Sequence, residues 1–264
     1  MPRCNGIEYR EQGNIGAAED IPIICLHGIG GNCDSFTPQL TALSAKHRVI
    51  SWTMPGYGNS AALAQTDFDT LSQSLASFMQ CLNISQAHLI GHSIGGMIAQ
   101  ELAITQPQYV KSLSLLATTS AFGGRDNSFK EKFLASRLKP LNEGKSMAEL
   151  AAGFVPQLVA KTTDSSVIEA AITSMSNISE TSYRTILECL VTFNRYHETA
   201  KLAQPACLIA GREDKTAPPA TMQKMADKIQ TAEFHVLEDA GHLLNLEAAE
   251  TCNQILLAFI QRQQ

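Results

Sequence analysis

The sequence predicts a doubly wound, mostly parallel α/β sheet that carries a helical insertion. Two observations support this fold class. Short apolar runs alternate with stretches of helical periodicity, as expected for a parallel sheet covered on both faces. The alternation stops over residues 121–200, which contain no convincing strand and are far longer than an ordinary connection.

The six apolar runs are predicted to be strands. Each has the length of a buried strand, and several end at glycine or proline, which favour turns. Helices that join consecutive strands make a parallel arrangement the expected one. The runs cover residues 21–26, 48–53, 87–91, 110–118, 205–211 and 233–237.

Four helices are predicted between and after these strands. The first begins after Asp67, a good N-cap, and the second stops before Pro107. The third opens with Pro218, which the first helical turn tolerates. The four helices cover residues 67–82, 94–105, 218–229 and 246–261.

The helical insertion is predicted to be a cap. We assign residues 1–120 and 201–264 to the core domain and residues 121–200 to the cap. An insertion at the carboxyl end of the sheet would cover a site located there. Its helical stretches are residues 129–138, 147–158, 165–175 and 180–193.

Composition excludes several functional classes. A net charge of −5 gives no basic surface for nucleic acid, so no nucleic-acid partner is expected. No apolar run is long enough for a membrane helix, and the first residues lack the apolar segment of a signal peptide. The seven cysteines are scattered without Cys-x-x-Cys pairs, which predicts reduced thiols and a cytoplasmic location.

The motif that indicates chemistry is Gly-His-Ser-Ile-Gly, residues 91–95. It matches the G-x-S-x-G nucleophile elbow, a sharp strand-to-helix turn that exposes the serine and needs small residues on both sides. A predicted strand precedes the motif and a predicted helix follows it, as the elbow requires. Ser93 is therefore the predicted nucleophile.

A serine nucleophile needs a base, and the base needs an acid. His242 follows the last predicted strand on a loop that Gly241 marks, and is the predicted general base. Asp214, after the fifth strand, is the predicted acid; Asp239 is the runner-up, and Glu213 is expected to point away. The order serine, aspartate, histidine is the order found with this elbow.

The negative oxygen of a tetrahedral intermediate needs two N–H donors. The N–H of Ile94 is one candidate, because it follows the nucleophile at a helix N-terminus. The N–H of Ile29 is the other, in a glycine-rich loop after the first predicted strand. This loop lacks the glycine–lysine pattern of phosphate loops, so a nucleotide site is not expected.

With these motifs, the sequence resembles the α/β-hydrolase superfamily over nearly its whole length. Members often have Asp where this chain has Thr53, a departure that puts local packing, but not catalysis, in question. The motifs that carry the resemblance are residues 27–30 (HGIG), 54–60 (MPGYGNS), 91–96 (GHSIGG), 211–214 (GRED) and 241–242 (GH).

Within that superfamily, Ser93 argues against haloalkane dehalogenases and most epoxide hydrolases, which use Asp at the elbow. His92 disfavours carbon–carbon bond hydrolases, which often have Asn there, and haloperoxidase-like members, which commonly have Phe. Enol-lactonases of 3-oxoadipate are similar overall but usually lack the pair His27 and Gly28. The resemblance therefore implies the carboxylesterase and lactonase group.

The insertion is expected to determine substrate specificity. Two roles are considered for Arg125, Arg137 and Arg184: part of a solvated helix face, or a binding site for an acidic substrate. An arginine that pointed inward would favour a dicarboxylate half-ester or an enol-lactone acid as the substrate. The alternative is that most of the apolar residues of the insertion form its own small core. The predicted substrate-binding residues are Gly28, His92, Phe122, Phe129, Phe133 and Phe154.

The resulting hypothesis is a serine hydrolase that cleaves a carboxylic ester or lactone through an acyl-enzyme on Ser93. The chemistry requires no metal and no cofactor, and the expected partner is the small-molecule substrate; a homodimer stays open. Two alternatives remain: a carbon–carbon bond hydrolase of a ring-cleavage product, and a non-catalytic small-ligand receptor on the same fold.

Overall fold

A computed structural model describes residues 1–13, 21–122 and 127–263. The described residues form eight strands: β1 (Arg3–Cys4), β2 (Ile7–Gln12), β3 (Ile23–Leu26), β4 (Val49–Trp52), β5 (Ala87–His92), β6 (Val110–Leu116), β7 (Ala206–Gly211) and β8 (Ala232–Leu237). They lie in the order β1-β2-β4-β3-β5-β6-β7-β8. Strand β2 pairs antiparallel with both β1 and β4, and all other pairs are parallel. The predicted fold class is confirmed.

Helices pack on both faces of this sheet. No helix in the described part of the chain combines the length and the hydropathy needed to cross a bilayer. The helices are α1 (Thr37–Leu43), α2 (Phe68–Cys81), α3 (Ile94–Thr105), α4 (Asn127–Asn142), α5 (Met147–Phe154), α6 (Ser165–Ser176), α7 (Glu180–Leu190), α8 (Pro219–Ala226), α9 (Leu244–Glu247) and α10 (Ala249–Gln261).

The side chains of β3 show how the core is divided. Ile24 and Leu26 belong to one apolar cluster, with residues of α2 and α3. Ile23 and Cys25 belong to the other, with residues of α1 and α10. Successive side chains of a strand point to opposite faces, so a strand that is apolar throughout can stabilise two helical layers at once.

The chain reverses its direction of winding at β3, which lies between β4 and β5. Ligands bind at such a switch point, outside the carboxyl ends of the strands. In the register of β3 and β5, Leu26 lies opposite Gly91. The loop after β3 and the turn after β5 therefore begin side by side at this crevice.

Helices α4–α7, called the cap helices below, lie between β6 and β7 in the sequence. No strand occurs among the described residues of this segment, in agreement with the sequence pattern. Its apolar side chains, such as Leu150 and Ile186, belong to the same buried cluster as α2 and α3. The division of the chain into a core domain and a cap domain stays a prediction.

Some elements were not predicted. Strand β2 has the sequence IEYREQ, which is too polar to resemble a core strand. Polar residues are tolerated there because β2 lies near the sheet edge and buries few side chains. Helix α1 has seven residues, too few for a periodic pattern. The predicted helix over 246–261 is two helices, α9 and α10, that meet at Ala248.

The expectation that all cysteines are free thiols is wrong for two of them. Cys4 of β1 and Cys81 of α2 form a disulfide across 77 residues of sequence. The spacing of cysteines could not reveal this pair, because it depends on where the first strand lies against the second helix. The other five cysteines are free and buried.

The departure at Thr53 leaves the local packing intact. Thr53 is fully buried, and its Oγ1 accepts a hydrogen bond from the Cys33 N–H at 3.3 Å. Its carbonyl accepts one from the Ser60 hydroxyl at 2.6 Å. These bonds hold the turn after β4 without an aspartate.

Candidate active site

Ser93 lies in a strained turn between β5 and α3. Its φ of 52° and ψ of −120° form a combination that residues with a side chain rarely adopt. The Ser93 N–H donates to the Leu116 carbonyl at 2.9 Å, and the Ser93 carbonyl accepts from the Thr118 hydroxyl at 2.7 Å. Main-chain bonds on both sides therefore hold the backbone in this conformation.

The glycines around Ser93 are required by close contacts. A Cβ on Gly91 would lie 2.5 Å from the Gly96 Cα, so the two sides of the turn do crowd each other. A Cβ on Gly95 would instead lie 2.1 Å from the Leu26 carbonyl oxygen. Gly95 therefore has to be small mainly because the end of strand β3 lies against it.

Asp214 and His242 are in direct contact. The Nδ1–H of His242 donates to the Asp214 Oδ2 at 2.8 Å. Burial raises the pKa of Asp214. The contact with His242 and the hydrogen bonds from the N–H groups of Thr216 and Ala217 lower this pKa by more than burial raises it, so the net shift is downward. Asp214 is thus an ionised partner that fixes the imidazole, with its other oxygen held by two main-chain donors.

Among the described residues, neither of the two nearby carboxylates, Asp239 and Glu213, forms a hydrogen bond with His242. Asp239 is exposed. A carboxylate oxygen of Glu213 lies 3.4 Å from the Lys161 N–H. Asp214 is the carboxylate that meets His242, as the sequence predicts.

The loop that carries His242 is held from two directions. The His242 N–H donates to the Leu158 carbonyl, in the loop after α5, at 2.7 Å. The His242 carbonyl accepts from the Nε2–H of His92 at 2.7 Å. The ring of His92, a predicted substrate-binding residue, is thus engaged in supporting the loop of the predicted base.

Glu247 of α9 contacts the loop of His242 and was not predicted from the sequence. One carboxylate oxygen accepts from the Gly241 N–H at 3.0 Å, and the other accepts from the Leu243 N–H at 2.8 Å. The first oxygen also accepts from the Ala160 N–H and the Thr163 hydroxyl, both at 2.7 Å. One side chain thereby ties both neighbours of His242 to the segment between α5 and α6. Its signal in the sequence is weak, an acidic residue five positions after the histidine.

The main-chain N–H groups predicted to bind the oxyanion are those of Ile29 and Ile94. In residues 1–13, 21–122 and 127–263, neither the Ile29 N–H nor the Ile94 N–H donates to a protein acceptor. His27 holds the Ile29 loop, because its Nδ1–H donates to the Gly28 carbonyl at 2.8 Å and its Nε2 accepts from the Met54 N–H at 2.9 Å. Burial lowers the pKa of His27 to about 4, so the ring is neutral as this pattern requires.

Two cavities adjoin this site, and Leu158 contributes to the wall of both. The larger, about 670 Å³, is lined by Ser93 and His242 and by the four predicted phenylalanines, Phe122, Phe129, Phe133 and Phe154. The smaller, about 380 Å³, is lined by Gly28, Ile29 and His92. A Cβ on Gly28 would lie 3.2 Å from the Ser93 Cβ, so the loop after β3 touches the nucleophile turn between the cavities.

The three arginines considered from the sequence differ. Arg125 lies outside the described residues. Arg184 pairs with Glu180 one helical turn away at 2.8 Å, as expected of a solvated face. Arg137 lines the larger cavity with Ser93.

The described residues include one trio that could hold a metal ion, Cys207, Glu233 and His235, with ligand atoms within 4.8 Å of one another. Cys207 and Glu233 are near the amino ends of β7 and β8, the edge opposite to Ser93. Glu233 already pairs with Arg262. The trio therefore contributes no ligand to the candidate site.

The chain is similar to a known family and to known proteins over most of its length. A model of the alpha/beta hydrolase fold matches residues 21–249. The chain is 31% identical over 255 residues to a dihydrolipoyllysine-residue acetyltransferase component of the acetoin cleaving system from Pseudomonas putida. That match covers 94% of this chain but 65% of the relative, so the chain spans less than two thirds of the relative's length.

Two further similarities cover nearly whole chains. The chain is 25% identical to 3-oxoadipate enol-lactonase 1 of Acinetobacter baylyi over 251 residues, which is 94% of this chain and 91% of the relative. The crystal structure of the enol-lactonase from Burkholderia xenovorans LB400 matches with a TM-score of 0.87 at 24% identity, over 98% of each chain. At that identity the structural likeness shows the shared fold.

Proposed function

The chain belongs to the α/β-hydrolase family, and from this premise we propose that it is a serine hydrolase that cleaves a carboxylic ester or lactone. The nucleophile is Ser93, the general base is His242 and the orienting acid is Asp214. The enol-lactonase among the relatives supports an ester-type bond as the target, because a lactone is an internal ester.

One observation carries the proposal. The 2.8 Å hydrogen bond between His242 and Asp214 lies beside the cavity that Ser93 lines. An imidazole oriented by an ionised carboxylate, next to a serine in a strained turn, is the arrangement that activates a hydroxyl group.

The first half of the reaction forms the acyl-enzyme. His242 Nε2 takes the proton of the Ser93 hydroxyl while Oγ attacks the substrate carbonyl carbon. The resulting oxyanion is bound by the N–H groups of Ile29 and Ile94. The intermediate collapses when the carbon–oxygen bond to the alcohol breaks, and the alcohol oxygen takes the proton from His242. In a lactone the alcohol stays attached to the acyl group.

The second half releases the acid. His242 takes a proton from a water molecule, whose oxygen attacks the acyl carbon. The new oxyanion uses the same two N–H donors. Collapse breaks the bond to Ser93 Oγ, and His242 returns the proton to it.

The test is hydrolysis of p-nitrophenyl esters of increasing acyl length, with Ser93→Ala and the exposed Ser166→Ala as a matched pair. We expect turnover in the native chain and in Ser166→Ala, and a loss of about 10⁴-fold or more in Ser93→Ala. A fluorophosphonate should add to the native chain once, at Ser93, and the adduct should be absent from Ser93→Ala by mass spectrometry.

Two results would contradict the proposal. One is the absence of both turnover and fluorophosphonate labelling in a folded protein, which favours a binding protein on this fold. The other is adduct formation together with turnover of a ring-cleavage diketone and of no ester, which favours carbon–carbon bond hydrolysis.

The cytoplasm stays the proposed compartment, and the five free cysteines support it. The disulfide between Cys4 and Cys81 argues in the other direction. The proposed partner is the small-molecule substrate, and dimer formation stays open.

A further inference from the structure

Arg137 of α4 is a half-buried cation in the wall of the larger cavity. Its guanidinium carbon lies 3.9 Å from the centre of the Phe154 ring and 5.3 Å from the centre of the Phe133 ring. Stacking on an aromatic face fixes the plane of a guanidinium and leaves the N–H groups at its edge able to donate. The side chain is thereby fixed on two rings of the cavity wall.

Arg137 has no carboxylate partner among the residues that the structure describes. In the described part of the chain it forms no ion pair and no hydrogen bond, although burial disfavours its charged form and lowers its pKa. A guanidinium stays charged in proteins nonetheless. Six other arginines do pair with a carboxylate: Arg10, Arg48, Arg184, Arg195, Arg212 and Arg262.

The charge of the cavity is opposite to the charge of the whole protein. The described residues of the cavity lining include three cations, Arg137, Lys161 and Lys215, and one carboxylate, Glu213, whereas the chain has a net charge of −5. A cleft whose lining has an excess of one sign of charge raises the local concentration of ligands of the opposite sign. The surroundings of Ser93 therefore favour an anion.

We propose that Arg137 is the binding site for a carboxylate on the substrate, so that the scissile ester or lactone belongs to an anionic, dicarboxylate-type compound. This inference rests on the proposed function. The guanidinium edge donates two parallel hydrogen bonds to the carboxylate. The phenylalanines that line the cavity contact the apolar atoms between the carboxylate and the scissile carbonyl.

The test compares two esters of matched length, mono-p-nitrophenyl glutarate and p-nitrophenyl pentanoate. We expect the native chain to prefer the glutarate ester, with a preference that weakens as salt is added. Arg137→Met should lower the ratio of the two kcat/KM values by about 10- to 100-fold, mainly through the KM of the glutarate ester. Arg137→Lys should retain part of the preference.

The matched control is Arg184→Met, an arginine of the neighbouring cap helix α7 that pairs with Glu180. It should change neither rate. Equal loss of both esters in Arg137→Met, with a lower melting temperature, would overturn the proposal and make Arg137 a structural contact between α4 and α5.

Binding of free glutarate separates this inference from the proposed function. We expect glutarate to raise the melting temperature of the native chain and of Ser93→Ala, but not of Arg137→Met. If neither ester is hydrolysed, the proposed function fails, and the glutarate shift alone decides the anion site. If glutarate shifts all variants equally or none, the anion site is refuted even where esters are cleaved.

Discussion

The Nε2–H of His92 donates a hydrogen bond to the carbonyl oxygen of His242 at 2.7 Å, and the two ring centres lie 5.0 Å apart. Burial lowers the pKa of His92 to about 3, and the neighbouring His242 adds to the shift. His92 is therefore neutral, so it supports the loop of the proposed base without placing a second positive charge beside it.

This relationship predicts how stability depends on pH. The pKa of His92 falls from an ordinary 6.5 to about 3 on folding, so the unfolded chain binds the proton that the folded chain does not. The free energy of unfolding therefore decreases as pH falls from 6.5 towards 3. In His92→Asn we expect the slope of this decrease, between about pH 4 and about pH 6, to be smaller by about 1.4 kcal/mol per pH unit.

Urea unfolding at several pH values measures this slope. His27, with a pKa of about 4, contributes a second proton in the same range, and His27 is unchanged in the variant. A slope identical to that of the native chain would show that His92 is already protonated in the folded protein.

Asp214→Asn should remove the orientation of the imidazole while leaving the fold intact. An amide in place of the carboxylate favours the wrong tautomer of His242 and does not stabilise its cation. We expect kcat to fall by about 10⁴-fold with little change in KM. The exposed Asp227→Asn, after α8, is the control and should be as active as the native chain. Retention of a tenth of the activity in Asp214→Asn would mean that another group serves as the acid.

Gly28→Ala should impair the oxyanion site. The new Cβ would lie 2.7 Å from His92 Nδ1 and 3.2 Å from Ser93 Cβ, so the loop after β3 must move and carry the Ile29 N–H with it. A displacement of about 1 Å in such a site costs about 100-fold in rate. We expect a loss of that size in kcat/KM for ester hydrolysis.

Gly153→Ala in α5 is the matched control, because its Cβ would meet nothing within 4 Å. A helix gains about 0.5–1 kcal/mol from this change, so a slightly higher melting temperature and full activity are expected. Full activity in Gly28→Ala would place the second oxyanion donor elsewhere.

Glu247→Gln should loosen the His242 loop. The amide nitrogen of glutamine cannot accept the hydrogen bonds that the carboxylate receives from Gly241, Leu243, Ala160 and Thr163. Unsatisfied N–H groups cost about 1–3 kcal/mol each, so we expect the free energy of unfolding to fall by at least about 2 kcal/mol. A loss of about 10-fold or more in kcat should accompany it.

The control for Glu247→Gln is the exposed Glu250→Gln on α10. Hydrogen exchange provides a readout specific to position, since the amides of Gly241 and Leu243 should exchange faster in Glu247→Gln alone. Unchanged exchange at both amides would exclude the role of Glu247 in holding this loop.

Much of the fold was predictable because local patterns determine it. The six apolar runs correspond to strands β3–β8, and the glycines of residues 91–95 do mark the turn between β5 and α3. Strands β1 and β2 escaped prediction, since β1 at the sheet edge and β2 next to it bury too few side chains to need an apolar run. The disulfide between Cys4 and Cys81 escaped it because no local pattern records which segments meet.

The sequence by itself determined the order of strands β3–β8, the strained serine turn and the candidates for base and acid, because turn geometry and burial depend on neighbouring residues. Only the tertiary structure decided that Asp214, and not Asp239, meets His242 at a sequence distance of 28 residues. It also decided that Glu247 reaches Ala160, 87 residues away, and that Arg137 faces the cavity. Such contacts depend on how the cap helices and the strand ends are packed together, which no single segment encodes.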